Sequence, residues 1–448
     1  MIKTALNVLI LKILGTALWL VYSILLARIL TQEDFGLFFY TVNFVLLVLP
    51  IANLGYGNIL LKDGSICFKE KQSIEFKSIL LEARTATVLG SFSIAALLLV
   101  SWSYDLNNPI VNNLNVTLLT GLIIILFSLM TIHRDTLRAS NNVLKGMLNT
   151  TITRAFIPLV IIVFININYE VDLEIALVVF CASLMLSVII EVYWINKITI
   201  TNNTKTNVVS KNRKTLGLQL WLADVANTVL SKADAFIIGL VLDLKSVALY
   251  IAAQRVSILT LFIIDAVRIV IGPEISKAFE VSHRPDYKKI ISRSSALFSM
   301  AGIIGGIGSI LLGYPILLLY GEVYTESYLI LILLTIANMS FIIFGPVAVI
   351  MSMTDLQKQR SFVTTLSASL LIIFSYYGAV LYNVLGVAIA VVIAMWINNG
   401  LLSYMIWKKQ NVKTGLLNRD ALNYYTPKKI ISLLGTHKII FKKEINIR

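Results

Sequence analysis

The chain has 448 residues, 57% of them hydrophobic and only 14% charged, with a mean hydropathy of +0.83. These values exclude a soluble globular protein and define a polytopic membrane protein. The net charge of +14 is carried by the segments between apolar runs, so it reports topology and not a nucleic-acid surface.

Apolar stretches long enough to cross a hydrocarbon core of about 30 Å recur along the whole chain. They fall near 5–27, 36–61, 83–103, 114–132, 154–168, 174–195, 216–241, 247–271, 295–313, 328–351, 361–381 and 384–407. The expected fold is all-α, with about twelve transmembrane helices, the fifth being the shortest. The first run follows only Lys3, is longer than a secretory apolar core and lacks a small-residue cleavage site, so it reads as a retained span.

Basic residues gather in alternate loops. Lys62, Lys69, Lys71 and Lys77 fall on one side, followed by Arg134, Arg138 and Lys145, then Lys205 to Lys214, then Lys277 to Arg293. The intervening segments 104–113, 168–174, 314–327 and 382–383 contain no Lys or Arg. The positive-inside rule then places both termini in the cytoplasm. The polar segment 201–215 reads as a basic linker between a six-helix lobe at 1–200 and a second at 216–407, with a basic tail at 408–448. Paired bundles of this kind enclose a central cavity at their interface. The tail mixes bases with apolar residues and suits the anionic membrane surface.

No cofactor or metal is expected. His133, His283 and His437 are scattered over segments read as cytoplasmic, without ligand spacing, and Cys67 and Cys181 are too far apart in kind of environment to pair. The Gly302 to Gly308 cluster lies inside a span and reads as close helix packing, not as a phosphate loop.

The informative residues are charges inside the seventh and eighth spans: Asp224, Lys232, Asp234, Arg255, Asp265 and Arg268. A charge near the bilayer centre costs about 3 kcal/mol on insertion scales, so such residues face protein or a wet cavity and mark a transport path. Asp224, Asn227, Thr228, Ser231 and Lys232 recur at spacings of three and four and share one helix face. Gln254 and Arg255 lie at about the depth of Lys232, roughly 12 Å from the far end of the helix. Two structural pairings use the same residues equally well: Asp234 with Arg255, and Asp265 with Arg268. Lys12 either joins the cavity or snorkels to the interface. Arg28 either contacts substrate or caps last-turn carbonyls. Thr31 to Asp34 reads as the capped start of the second helix.

The string Lys232-Ala233-Asp234-Ala235-Phe236-Ile237-Ile238-Gly239, followed by Val247-Ala248-Leu249-Tyr250 and Ala253-Gln254-Arg255, resembles helices seven and eight of bacterial polysaccharide transporters. These are the O-antigen (Wzx-type) flippases of the multidrug/oligosaccharidyl-lipid/polysaccharide (MOP) superfamily. Ala27-Arg28 with Asp34-Phe35-Gly36, Leu317 to Tyr320 with Gly321 and Tyr324, and Asn383 to Ala390 resemble the same family at matching places. Thr31, Ala248 and the turn 354–358 depart from its usual glycines. The resemblance implies a non-enzymatic flippase that moves undecaprenyl-pyrophosphate-linked oligosaccharide, an O-antigen or related repeat unit, to the periplasmic leaflet by alternating access. Its partners would be membrane lipids and polysaccharide polymerase machinery, and its expected state is a monomer. Lys232, Arg255, Arg268, Lys12, Arg28, Gln254, Asn227 and Ser231 are the expected substrate contacts. Asp224, Asp265 and Asp234 are candidates for coupling to H+ or Na+. The rival readings are a multidrug or cation antiporter, a lipid II flippase, and a membrane glycosyltransferase or polymerase. The last would use Glu33-Asp34 as carboxylates, but such enzymes carry larger periplasmic loops.

Overall fold

A computed structural model describes residues 2–104, 108–198, 213–280 and 284–418. Most of the 201–215 linker, His283, His437 and the tail beyond residue 418 lie outside the described residues. Everything described is helix or short turn, without a strand pairing into sheet. Ten helices are long and apolar enough to cross a membrane. In chain order the long helices are α1 (Ile2–Ile29), α2 (Gln32–Asn53), α3 (Ser73–Ser103), α4 (Leu114–Ala139), α5 (Val143–Asn166), α6 (Leu173–Asn196) and α7 (Arg213–Val241). There follow α8 in two pieces (Leu244–Ser257 and Leu259–Glu280), α9 (Arg284–Tyr320) and α10 (Tyr328–Phe344). The last helical stretch, Gln357–Gln410, is broken at Tyr382 and Asn383, where φ of Asn383 is +52°, and its two arms are α11 and α12. With this break, and with α7 too charged to count among the ten, the twelve expected spans are all present as helices.

Local chemistry sets the ends. Thr31 caps α2 by accepting from the Asp34 backbone N–H at 3.1 Å, as the sequence suggests. Asn113 and Asp172 do the same for α4 and α6. Several ends differ from the sequence reading, and three of them shape the site. α2 stops at Asn53 instead of running to 61, because Leu54 and Gly55 take positive φ (+48° and +77°). A π-helical turn, Leu60–Gly64, follows that break. α4 continues to Ala139, so His133, Arg134 and Arg138 belong to a helix and not to a loop. α5 starts at Val143, and a π-helical turn at Asn149–Thr153 interrupts it. That polar turn made the fifth span look short.

The chain divides into two compact units, Met1–Val256 with Leu312–Leu334 and Thr364–Ala394, and Ser257–Leu311 with Thr335–Val363 and Met395–Arg448. The first has an aromatic core in which Trp19, Tyr22, Phe35, Phe38, Phe39 and Phe180 meet edge to face or tilted, at centroid separations of 4.9–6.1 Å. Each such contact contributes about 0.5–1.5 kcal/mol beyond its buried area. The second unit packs Ile264, Phe298, Val347, Ile350, Leu402 and Ile406. Its glycine cluster does serve close packing: a Cβ on Gly305 would lie 2.8 Å from the Thr260 carbonyl oxygen. Thr260 and Ser309 hydroxyls bond beside it at 2.8 Å.

Candidate functional site

The break in α2 creates a cavity inside the first unit. Beyond Asn53 the chain no longer supplies helical N–H donors, so the last-turn carbonyl of Pro50 lacks its usual partner. The Trp221 indole N–H of α7 fills that place at 2.7 Å. α7 is thereby held against the broken end of α2, and α4 and α5 complete the walls. The enclosed volume is about 450 Å³.

α4 and α5 supply the cations. Asp135 accepts from Arg134 at both oxygens, at 2.9 and 3.1 Å, and from Arg138 at 3.2 Å. One carboxylate thus neutralises one of two guanidinium groups. Arg154 has no such partner. Its guanidinium sits 4.9 Å from the centroid of Trp19 and 5.4 Å from that of Phe127, and its Nε is buried without a hydrogen bond. Arg255, on α8, uses the same indole: it is 5.4 Å from Trp19 and 5.1 Å from Phe39. Arg255 is only 9% exposed, and its Nε and Nη2 are buried without acceptors. Arg154 feels the charges of both Arg134 and Arg255, and Lys232 feels those of Arg255 and Arg154. A line of positive charge therefore runs from the cavity through α5 to α8 and α7. No carboxylate pairs with Arg154 or Arg255 among the described residues.

α2 and α7 supply amides and a carboxylate. Asn53 donates to the Thr131 hydroxyl at 2.8 Å, Asn58 to the Asp224 carboxylate, and Asn227 to the Ala223 carbonyl at 2.7 Å. Asn53, Asn58, Asp224, Asn227 and Thr228 all line the cavity. The face read from spacing on α7 is thus realised for Asp224, Asn227 and Thr228. Ser231 is exposed and bonds back to the Thr228 carbonyl, and Lys232 is half-buried one step farther along.

Asp234 has a different role from the one expected. It is 4% exposed and accepts from the Tyr250 hydroxyl at 2.6 Å, from Gln254 at 3.1 Å and from the Ala235 backbone N–H at 2.8 Å. It forms no ion pair with Arg255, because Tyr250 and Gln254, five residues and one residue before Arg255 on α8, fill its acceptor sites. Gln254 is spent on this contact. Asp265 and Arg268 do pair, at 2.8 Å, in the second unit. Lys12 is half-buried on α1 and does not line the cavity. Arg28 is at the other end of α1, where it donates to the carbonyls of Leu318 and Leu319, both at 2.7 Å. It caps the last turn of α9 and not its own helix.

Arg154, Arg134, Arg138, Trp19, Asn53 and Asn58 were not picked out by sequence reasoning. The first three flank the spans expected from sequence, where bases signal topology, and only the tertiary arrangement turns them inward. His133 is a further correction: it is 2% exposed, accepts from Arg84 at 3.0 Å and faces the buried Glu191 at 3.7 Å.

The long apolar helices define a multi-pass membrane protein, and its fold resembles that of solved transporters and flippases. The structure titled as the lipid II flippase MurJ in an inward closed conformation is similar at a TM-score of 0.72, with 17% identity over 96% of this chain and 92% of that one. An inward-facing multidrug resistance MATE transporter is similar at 0.65, with 13% identity over 91% and 98%. A MOP-superfamily transporter from Pyrococcus furiosus, titled for the reverse polarity of its binding pocket, is similar at 0.62, with 14% identity over 91% and 95%. No curated protein matches by sequence. Residues 2–279 match the family model described as polysaccharide biosynthesis protein, more than half of the chain, and the protein belongs to that family.

Proposed function

We propose that the protein moves a polyprenyl-diphosphate-linked oligosaccharide, undecaprenyl being the expected carrier and an O-antigen or related repeat unit the expected cargo, from the cytoplasmic to the periplasmic leaflet. One observation carries this reading. Arg154 and Arg255 share the indole of Trp19, and among the described residues their buried N–H groups lack acceptors and no carboxylate pairs with either. Two like charges held this way favour an anionic ligand that bridges them. A diphosphate supplies oxygen acceptors at that span, and guanidinium forks suit them better than ammonium groups do. Lys232 extends the same field. A cationic drug would meet repulsion here, so the antiporter reading is disfavoured. A lipid II cargo shares the diphosphate-sugar chemistry and remains the nearest alternative.

The membrane potential supplies a driving force. Each negative charge moved outward gains about 2.3 kcal/mol per 100 mV, so a diphosphate carrying about two charges gains roughly 4–5 kcal/mol. Ion coupling through Asp224 or Asp265 is not required for export. The two lobes at 1–200 and 216–407 would rock to expose the cavity to each leaflet in turn, working as a monomer.

The test is surface glycan display in cells carrying Arg154→Ala, Arg255→Ala or Lys232→Ala at matched abundance. Display should be lost in the arginine variants and reduced in the lysine variant. Arg255→Lys, which keeps the charge and loses the planar fork, should retain part of it. Full display in both arginine-to-alanine variants refutes the proposal.

A further inference from the structure

The amides of the cavity have a common orientation that the diphosphate does not use. Asn53, Asn58 and Asn227 each spend one N–H of the amide on a protein acceptor: the Thr131 hydroxyl, the Asp224 carboxylate and the Ala223 carbonyl. The carbonyl oxygen of each amide, an acceptor with two lone pairs, is left uncommitted. None of the three Oδ1 atoms receives a hydrogen bond among the described residues; that of Asn53 is buried, so Asn58 and Asn227 are the acceptors open to the cavity. The α2–α7 side of the cavity is therefore a wall of acceptors, whereas the α4–α5 side carries Arg134, Arg138 and Arg154.

Trp221 completes this wall. Its indole N–H is used by the Pro50 carbonyl, so the donor is unavailable and the ring is left as an apolar surface lining the cavity. Acceptors around an aromatic face suit a ligand that is rich in hydroxyl donors and has a C–H face, which is the chemistry of a sugar ring. They suit phosphate less well, since phosphate only accepts and meets at most the second N–H of each amide. A metal cation is disfavoured, since three arginines against Asp135 and Asp224 leave the cavity positive.

We infer that Asn58 and Asn227, with Trp221, form a subsite for the sugar joined directly to the diphosphate, which they recognise through its hydroxyl groups. The inference rests on reading the cavity as a diphosphate-sugar site and goes beyond it by assigning the sugar to the α2–α7 wall. The broken end of α2 is then a specificity element: Asn58 lies just after the break, so the irregular turn sets where that acceptor stands.

The experiment uses the detergent-solubilised full chain and equilibrium calorimetry. The probes are farnesyl diphosphate alone and farnesyl diphosphate carrying one glucose, galactose or N-acetylglucosamine. At least one glycosylated probe should bind wild type about tenfold tighter than farnesyl diphosphate, the gain expected of two or three neutral hydrogen bonds. Asn58→Leu and Asn227→Leu should each cut that ratio at least about threefold while leaving the affinity for farnesyl diphosphate unchanged. The unchanged affinity doubles as the control for folding. Asn227 donates only within its own helix, so its replacement breaks no tie between helices and decides the matter if Asn58→Leu does not fold. A gain with none of the three sugars, or a ratio unaltered in the variants, overturns the sugar subsite and leaves the diphosphate reading standing. Failure of farnesyl diphosphate itself to bind wild type overturns both.

Discussion

Arg28 Nε donates to the Leu319 carbonyl at 2.7 Å, so the last turn of α1 closes the last turn of α9. Nη2 takes the Leu318 carbonyl at the same distance. Carbonyls in the final turn of a helix have no donor of their own, and a guanidinium fork satisfies two at once. Around this contact Ser23 and Tyr320 bond at 2.6 Å, Phe35 meets Tyr324 at 5.5 Å, and Glu33 pairs with Lys245 at 3.2 Å. A Cβ on Gly36 would lie 2.0 Å from the Leu244 carbonyl oxygen, so the α1–α2 and α7–α8 turns touch backbone to backbone.

Hydrogen bonds to charged groups contribute about 1.5–3 kcal/mol each, so Arg28→Ala should loosen this end of the protein. Ser327, fully buried beside it, provides the reporter. A cysteine placed there should react with an impermeant maleimide several-fold faster in the Arg28→Ala background, and equal rates would show that the cap does not hold the end closed.

Cysteines replacing Glu33 and Lys245, which stand in turns whose backbones touch at Gly36 and Leu244, should form a disulfide on mild oxidation. If the turns separate in each transport cycle, the oxidised protein should display no surface glycan and recover display on reduction. Display unaffected by complete crosslinking would exclude opening at this end.

Asp234 owes its place to Tyr250 and Gln254 and not to Arg255. Tyr250→Phe removes a donor from a buried carboxylate and should cost about 1–3 kcal/mol of stability, read as a lower thermal midpoint of the purified protein. Pairing Asp234→Ala with Arg255→Ala should not restore the glycan display that Arg255→Ala removes. Restoration would mean that the two residues neutralise each other after all.

Orientation is open to direct measurement. Cysteines at Asn108, Asp172 and the exposed Glu326 should react with an impermeant reagent in intact cells, whereas one at the exposed Glu70 should react only after lysis. Glu70 labelled from outside would invert the expected topology.

Hydropathy makes the twelve spans legible, because the length of an apolar run is a local property. The caps at Thr31, Asn113 and Asp172 are legible for the same reason. The end of α2 is not, since Ile59, Leu60 and Leu61 continue the apolar run past a backbone reversal that depends on the φ angles of Leu54 and Gly55. Lys232 and Arg255 stand out as charges amid apolar residues, and the structure brings them within each other's field. Arg154 does not stand out, because a base beside a helix start is the ordinary mark of topology. Its role comes from Trp19, which lies more than a hundred positions earlier. Asp234 illustrates the converse: equal depth on sequential helices suggested Arg255 as its partner, but the direction of each side chain decides, and that is set by packing.

The α11–α12 reversal has a practical side. It is made at Tyr382 and Asn383 alone, and just before and after it the backbones of Gly378 and Gly386 lie so close that a Cβ on either would fall within 2.6 Å of the other's carbonyl oxygen. There is no slack in such a joint. An epitope tag or a fluorescent protein inserted there would have to pry two helices apart before it could fold, so abundance should collapse.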